Sequence, residues 1–552
     1  MKKLFKYKYL FASIGAFFIA AFMVDVSKGS KSSNNNDNSL GLGINFRLHP
    51  SGVSQSETFI TRHPSNPNIL FASANTLSSA GGLFISEGIY VSTDAGANWF
   101  GSDTCNGTPI NFHGGDPGIA IDKNGTFVLT RLGRSPFQGL YSHYSTNNGI
   151  SWSGQTTIST DLLERATTQA DGDASSSFYG RTYTAWVRFS PPYPISFSYT
   201  DHGGQNWSTP AQVNNPPQRC AGGEIALGTG GRVNLTWAGV QPISPFTEVH
   251  AGYAFSTNGG QNWNVTENAF AMNGIQGFLP QKNNIRVNGQ PRIDVDATGG
   301  PRDGWVYIVT TQKNLAPAGT DPDIILNRST NGGQSWLPAV RVNQDPLNDG
   351  KIQFFPAVHV DNNGGVNIIY YDDRNTTSDS SGVFLSRSTD GGATWKDYQI
   401  SNHNFKPAPV SGGGQGYQGD NIGLTSLGTI LWAVWMDNSV NNLYQIWGSP
   451  IDLNSISVQN NNSSIPGVFE LKQNYPNPFN PSTKIAYDLK KSGHVSLKVY
   501  DISGKEVADL VSKNQLPGYY EVEFSTQLSS GVYFYSIQTG EYKLTRSMVL
   551  LK

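Results

Sequence analysis

The stretch Tyr370-Tyr371-Asp372-Asp373-Arg374 gathers two phenols, two carboxyls and a guanidinium at the end of the apolar run VNIIYYDD. A carboxyl beside an arginine and a tyrosine could serve as acid and anchor in glycoside chemistry, so Tyr371, Asp372, Asp373 and Arg374 are the candidate catalytic residues. A salt-bridged strand end is the alternative reading of the same residues. Arg131, Arg134, Arg188, Tyr417 and Asp437, with Arg219 and Arg286 beside them, stand between strand-like runs and are candidates for substrate binding. A periodic set completes the inventory: Glu57, Asp116, Asp173, Glu224, Gln290, Gln353 and Asp420 each open a short apolar run. Side chains at that register could bond neighbouring backbone amides, or offer oxygen ligands to a channel-bound cation such as calcium. No other cofactor is expected, because zinc spacings, a phosphate loop and Gly-x-Ser-x-Gly are all missing from the sequence. His49, His63, His113, His143, His202 and His359 are scattered among turns and runs.

The elements that must position these residues are short strands. Six copies of one turn punctuate the chain: STDAGANW from Ser92, STNNGISW from Ser145, YTDHGGQNW from Tyr199, STNGGQNW from Ser256, STNGGQSW from Ser329 and STDGGATW from Ser388. In each, an Asp or Asn side chain can bond the turn's own amides, a Gly can take positive φ, and a Trp can be buried. The acidic or amide positions are read as Asp94, Asn147, Asp201, Asn258, Asn331 and Asp390. Three strand-like runs precede each copy, as FFPAVHVD, VNIIYYDD and GVFLSRST do before Ser388. A seventh triplet without the turn follows, NIGLTSLG, ILWAVWMD and LYQIWGSPID. The fold expected over 43–453 is therefore an all-β propeller of seven blades, with six as the alternative. The segment GINFRLHP from Gly43 can supply the outer strand of the last blade and so close the ring.

Composition agrees. Among 552 residues only 14% are charged, while 61 Gly, 24 Tyr and 12 Trp suit many short strands joined by tight turns. A net charge of −2 leaves no basic stripe for phosphates, so nucleic acid is excluded as a partner. Lys2, Lys3, Lys6 and Lys8 precede an apolar run from Leu10 to Val24, the layout of a signal peptide over 1–29. A polar spacer over 30–42 follows, and no transmembrane anchor is expected in the mature protein. Cys105 and Cys220 could form one bridge after export or remain thiols.

The repeated turn resembles the Asp-box, or bacterial neuraminidase repeat, of sialidase-like propellers. That resemblance implies a box between the third and fourth strands of each blade, on the face opposite the active site. It also implies a sialidase-like glycoside hydrolase acting on extracellular glycans, although only FRLHP around Arg47 answers the family's Arg-Ile-Pro and no arginine can be carried over. A non-catalytic glycan- or protein-binding propeller is the alternative. Beyond a polar linker at 454–468, the phrases NYPNPFNPST, VYDISGKEV and LSSGVYFYSI resemble the type A sorting domain of the type IX secretion system in Bacteroidetes-like bacteria. Residues 469–552 are thus expected to form a small Ig-like β-sandwich that addresses the protein to that machinery, for secretion or attachment at the outer surface.

Overall fold

The computed structural model describes residues 41–78, 84–105, 113–411, 414–453, 468–491, 493–515, 517–526, 528–540 and 542–551. The expected signal peptide, the spacer up to residue 40 and the linker from 454 to 467 lie outside them. Among the described residues the only helical turns are two short 3-10 segments.

Six antiparallel four-stranded sheets follow one another in chain order. Blade 1 is Ser54–Arg62, Leu70–Leu77, Phe84–Ser92 and Phe100–Ser102; blade 2 is His113–Ile121, Phe127–Gly133, Gly139–Ser145 and Thr156–Ser159. Blade 3 is Leu163–Ala170, Thr182–Arg188, Ile195–Thr200 and Ala211–Gln212; blade 4 is Cys220–Gly228, Arg232–Val240, Glu248–Ser256 and Asn264–Ala271. Blade 5 is Arg292–Val295, Val306–Gln312, Asp323–Ser329 and Val340–Arg341; blade 6 is Gln353–Val360, Val366–Asp372, Gly382–Ser388 and Lys396–Gln399. A seventh sheet, Gly423–Leu427, Ile430–Val440 and Leu443–Asp452, takes its outer strands from the other end of the propeller. Gly41–Leu42 pairs with Asp452 and Ile451, and Phe46–Arg47 pairs with Gly448 and Trp447. The first strand of each sheet packs beside the next, and that of blade 7 beside blade 1, so the array closes on itself. Gly41 and Leu42, the last two residues of the expected spacer, belong to blade 7.

Second strands are buried on both faces, as in Val366–Asp372, because each lies between strands of its own sheet and the flat faces of two neighbours. This is why VNIIYYDD reads as continuously apolar rather than alternating. The boxes stitch neighbours together. In blade 1 the Ser92 hydroxyl donates to Asp94 (2.9 Å) and accepts from the Gly96 amide (2.8 Å), while Asp94 accepts from the Asn98 amide (2.8 Å). The box Trp then crosses to the preceding blade. Trp99 meets Trp432 of blade 7 edge-on at 5.8 Å, Trp152 lies against Phe71 of blade 1, and Trp263 against Phe197 of blade 3. Glycine is required there for space as well as for φ, because a Cβ on Gly96 (φ 88) would fall 2.0 Å from the Trp432 ring.

The third box corrects the sequence reading. Thr200 takes the place of the box serine, accepting from the amides of His202 and Gly204, so His202 and not Asp201 holds the Asp/Asn position. Asp201 instead pairs with Arg181 at 2.7 and 2.8 Å.

The C-terminal region forms two sheets. One holds Glu470–Leu471, Ser482–Leu489 and Gly518–Ser525; the other holds Glu506–Gln515, Gly493–Tyr500, Gly531–Thr539 and Tyr542–Leu550. Leu471, Ile485, Tyr487, Leu497, Val499, Tyr535, Ile537 and Met548 fill the space between them.

Candidate functional site

Five of the seven innermost strands enter the central channel through an irregularity. In blades 1, 2, 4 and 6 the pairing of first and second strands skips two residues, Glu57-Thr58, Asp116-Pro117, Gly222-Gly223 and Phe355-Pro356, and in blade 3 it skips Arg165. The bulged residue has positive φ throughout: Glu57 55°, Asp116 55°, Arg165 28°, Gly222 60° and Phe355 53°. Such backbone is costly for a residue with a side chain, and a bulge of this kind re-aims that side chain. Here it gathers charge at the channel mouth on the face opposite the boxes, since the turns joining first to second strands lie on the box side.

Two buried guanidinium groups organise the mouth. Arg165 donates to Glu224 (2.7 Å) and Asn421 (2.7 Å) and lies 3.9 Å from Asp420. Arg292 donates to Asn421 (2.9 Å) and the Asp420 carbonyl (3.1 Å) and stands 3.3 Å from Glu224. Burial and the neighbouring Arg165 pull the Arg292 guanidinium down to about 10, whereas burial around Arg165 is outweighed by Glu224, Asp420, Glu57 and Asp116. Asn421 donates in turn to Glu57 at 3.3 Å. Glu57 itself is held well above the usual carboxylate range by burial and by Asp116 and Asp420. The Asp116 carboxyl, withdrawn from solvent and facing Glu164 and Asp420, is pushed up to about 6. Glu164 is also raised, by burial and Asp420, against the opposing pull of Arg165, Arg219 and Arg286. Arginines from blades 3 and 5 and from both interblade segments flanking blade 4 therefore act on one group of carboxyls.

Tyr417 completes the mouth. Its hydroxyl bonds Ser56 (3.0 Å) and Asn75 (2.9 Å), and Arg286 lies over its ring at 5.8 Å. Arg286 arrives on a hairpin inserted between blades 4 and 5, Gly277–Leu279 with Ile285–Val287. The insertion is pinned by Lys282, whose buried ammonium donates to Asp373 (2.6 Å) and to the carbonyls of Ser378 (2.6 Å) and Ser380 (2.7 Å).

The periodic set divides accordingly. Glu57, Asp116, Glu224 and Asp420 meet at the mouth, and Gln290 lies against Gly222 of the blade 4 bulge. Asp173 does not join them: it sits in the box-side turn of blade 3, accepting from the Gly230 amide (2.7 Å), and Arg165 holds the register expected of it. Gln353 is buried between Asn343 (2.9 Å) and Asp345 (3.1 Å). Guanidinium groups meet the carboxyls where a cation was envisaged. Among the described residues no group of three or more His, Cys, Asp or Glu side chains is arranged to hold a metal.

The strand-end candidates lie elsewhere and are paired internally. Tyr371 donates to the Met436 carbonyl (2.6 Å), Asp372 is gripped by Arg374 (2.6 Å), Arg374 also reaches Asp397 (2.5 Å), and Asp373 holds Lys282. Tyr371, Asp372 and Asp373 have no exposed surface. Arg131 is likewise enclosed, donating to His143 (3.1 Å) and Gln155 (2.9 Å), and Asp437 accepts from Trp435 (3.0 Å) beside His403. Arg134 is exposed and Arg188 half-buried. Arg47 lies on an outer strand of blade 7, away from the mouth. The sequence reading missed Arg165, Arg292, Glu164 and Asn421; Arg292 and Asn421 stand within two residues of Gln290 and Asp420, whereas nothing beside Glu164 and Arg165 marked them.

At the box-side end of the channel Asp294, His359 and Ser426 form a hydrogen-bonded row across blades 5, 6 and 7 (3.1 and 2.9 Å). Ser426 is fully buried, so the row stitches blades rather than presenting a nucleophile. Cys105 and Cys220 are both free thiols, on blades 1 and 4.

Residues 473–551 match the family model of a secretion system C-terminal sorting domain. The C-terminal sandwich is a sorting domain. It marks the chain for secretion by the type IX route and for the cell surface. Solved structures similar to the chain include a Dyadobacter fermentans protein of unknown function, at 14% identity, with 63% of this chain and 97% of that one covered and a TM-score of 0.40. A Penicillium chrysogenum α-L-arabinanase complexed with arabinobiose gives 12% identity, 63% and 98% coverage and 0.40. An intramolecular trans-sialidase from Ruminococcus gnavus gives 11%, 60% and 93%, and 0.39. A search of curated proteins gives no match.

Proposed function

We propose that the protein is exported by a signal peptide and the sorting domain and acts on extracellular glycans as a glycoside hydrolase, at the channel mouth opposite the boxes. The observation that carries this reading is a pair of withdrawn carboxyls, Asp116 raised to about 6 and Glu57 held well above the usual carboxylate range, at the same mouth as a third carboxyl, Glu224, held by Arg165 and Arg292. Glycosidic cleavage needs one carboxyl that donates a proton to the leaving oxygen and another that acts as nucleophile or base. Asp116, half-buried and raised to about 6, is the acid. Glu224 is the second carboxyl. Arg219 and Arg286 would hold an acidic group of the sugar, and Tyr417 lines the site beneath Arg286.

A non-catalytic binding propeller is the second reading, favoured by the fact that Arg165 and Arg292 are already satisfied by Glu224 and Asn421. The full chain should be incubated with sialosides and with neutral and acidic polysaccharides, following new reducing ends. Turnover that falls at least about a hundredfold in Asp116→Asn and Glu224→Gln supports the hydrolase. Turnover of none of these substrates leaves the binding reading.

A further inference from the structure

Three successive blades carry the same loop on the mouth face. The connections from second to third strand in blades 2, 3 and 4 read Arg134-Ser-Pro-Phe137, Ser190-Pro-Pro-Tyr193 and Ile243-Ser-Pro-Phe246. In each the aromatic amide bonds the carbonyl three residues back, at 2.8 Å in all three. Tyr193 (φ 59) and Phe246 (φ 64) hold left-handed backbone to do so, a cost the fold meets at two neighbouring loop tips. The apolar surface so presented is large: Phe137 is 50% exposed, Phe246 38% and Ile243 69%. Arg219 binds two of the loops into one surface, its guanidinium lying 5.0 Å from the Phe189 ring, 5.4 Å from Tyr193 and 4.9 Å from Phe246. Segments 132–140, 188–195 and 240–247 contain no Asp or Glu, yet bring Arg134 and Arg188 to the same face. Arg219 also acts on Glu164, which joins the arc to the charged mouth.

We infer that this arc of blades 2, 3 and 4 is a binding surface for an acidic polysaccharide chain. Aromatic rings exposed beside arginines suit a pyranose polymer, whose C–H faces lie on the rings while its carboxylate or sulfate groups meet the guanidinium groups. The absence of carboxylates from the loops gives the surface the opposite charge to such a chain. A polymer seated on the arc would lie across the mouth, where Arg219 acts on Glu164. The inference deepens the proposed function, on which it rests for the position of the reacting sugar.

The test is affinity electrophoresis of the full chain in gels containing polygalacturonate, chondroitin sulfate or neutral galactan, with Asp116→Asn as the background to suppress turnover. Retardation by either acidic polymer and not by galactan is expected, and the two acidic gels separate carboxylate from sulfate recognition. The Phe137→Ala, Phe246→Ala double variant should bind at least about tenfold more weakly. Arg134→Glu, a change at an exposed loop residue, should weaken binding with an unaltered melting temperature. Equal retardation by galactan, no retardation by either acidic polymer, or unchanged binding in both variants overturns the inference. Loss of turnover in Asp116→Asn with binding indifferent to the arc variants would sink the arc and leave the site. Arc-dependent binding by a chain that turns nothing over would do the reverse.

Discussion

Replacing Asp116 by Asn should abolish turnover and, above neutral pH, stabilise the fold. The carboxyl is pushed from an ordinary 3.8 up to about 6 by loss of solvent and by Glu164 and Asp420. Below about pH 4 the folded and unfolded chains both hold this proton, and the site costs nothing. Between 3.8 and about 6 the folded chain keeps a proton that the unfolded chain has lost, so the group's contribution becomes less favourable as pH rises. Above about 6 the full cost is present, about 3 kcal/mol from the displacement and about 1–3 kcal/mol once the partial exposure of the side chain is allowed for. Asparagine removes that cost without disturbing the backbone, because it tolerates φ 55° and leaves the 2.8 Å bond from the residue 116 amide to Asn75 in place. Urea unfolding followed by tryptophan fluorescence at pH 4 and pH 8 reads the difference. A variant more stable at pH 8 and equal to the parent at pH 4 supports the reasoning; one destabilised at pH 8, or shifted equally at both, refutes it.

Trp152→Ala should destabilise the propeller by about 3–5 kcal/mol, because a ring only 4% exposed leaves a cavity between blades 1 and 2; a calorimetric melt with an unchanged transition would contradict that. Lys282→Met leaves Asp373 in the interior without its cation and should cost about 3–5 kcal/mol. Adding Asp373→Asn should recover most of that loss in the same denaturation assay, and failure to recover would place the Lys282 effect elsewhere. Both thiols should be titratable in denaturant but slow toward iodoacetamide in the native chain, since burial pushes Cys220 up to about 12 and Cys105 higher still. A mass showing a bridge, or fast native alkylation, would contradict this.

The repeat was legible because its determinants are local. A Ser or Thr, an Asp or Asn and a Gly within one turn satisfy each other's hydrogen bonds and a Trp closes it, so box spacing predicts six blades, while the box-less strand triplet and the recurring polar residue predict the seventh, with its outer strand from Gly43. The third box shows the limit: Asp201 and His202 are adjacent, and only the bonds of Thr200 show which one occupies the motif. The C-terminal phrases were legible for the same reason, each being a strand with its own turn. The chemistry was not. Tyr370 to Arg374 looked reactive because charge and phenol are contiguous there, whereas folding encloses those groups in pairs with Lys282, Asp397 and Met436.

The mouth is assembled instead from positions far apart in the chain: Glu57, Asp116 and Glu224, which the periodic register marked as a set, and Arg165, Arg292 and Asn421, which it did not. Sequence determined that seven sheets form and that polar residues open the innermost strands. Tertiary structure alone decided which of those residues meet, because a one-residue bulge aims a side chain into the channel or away from it. It also decided their protonation, which depends on burial and on charges contributed by other blades.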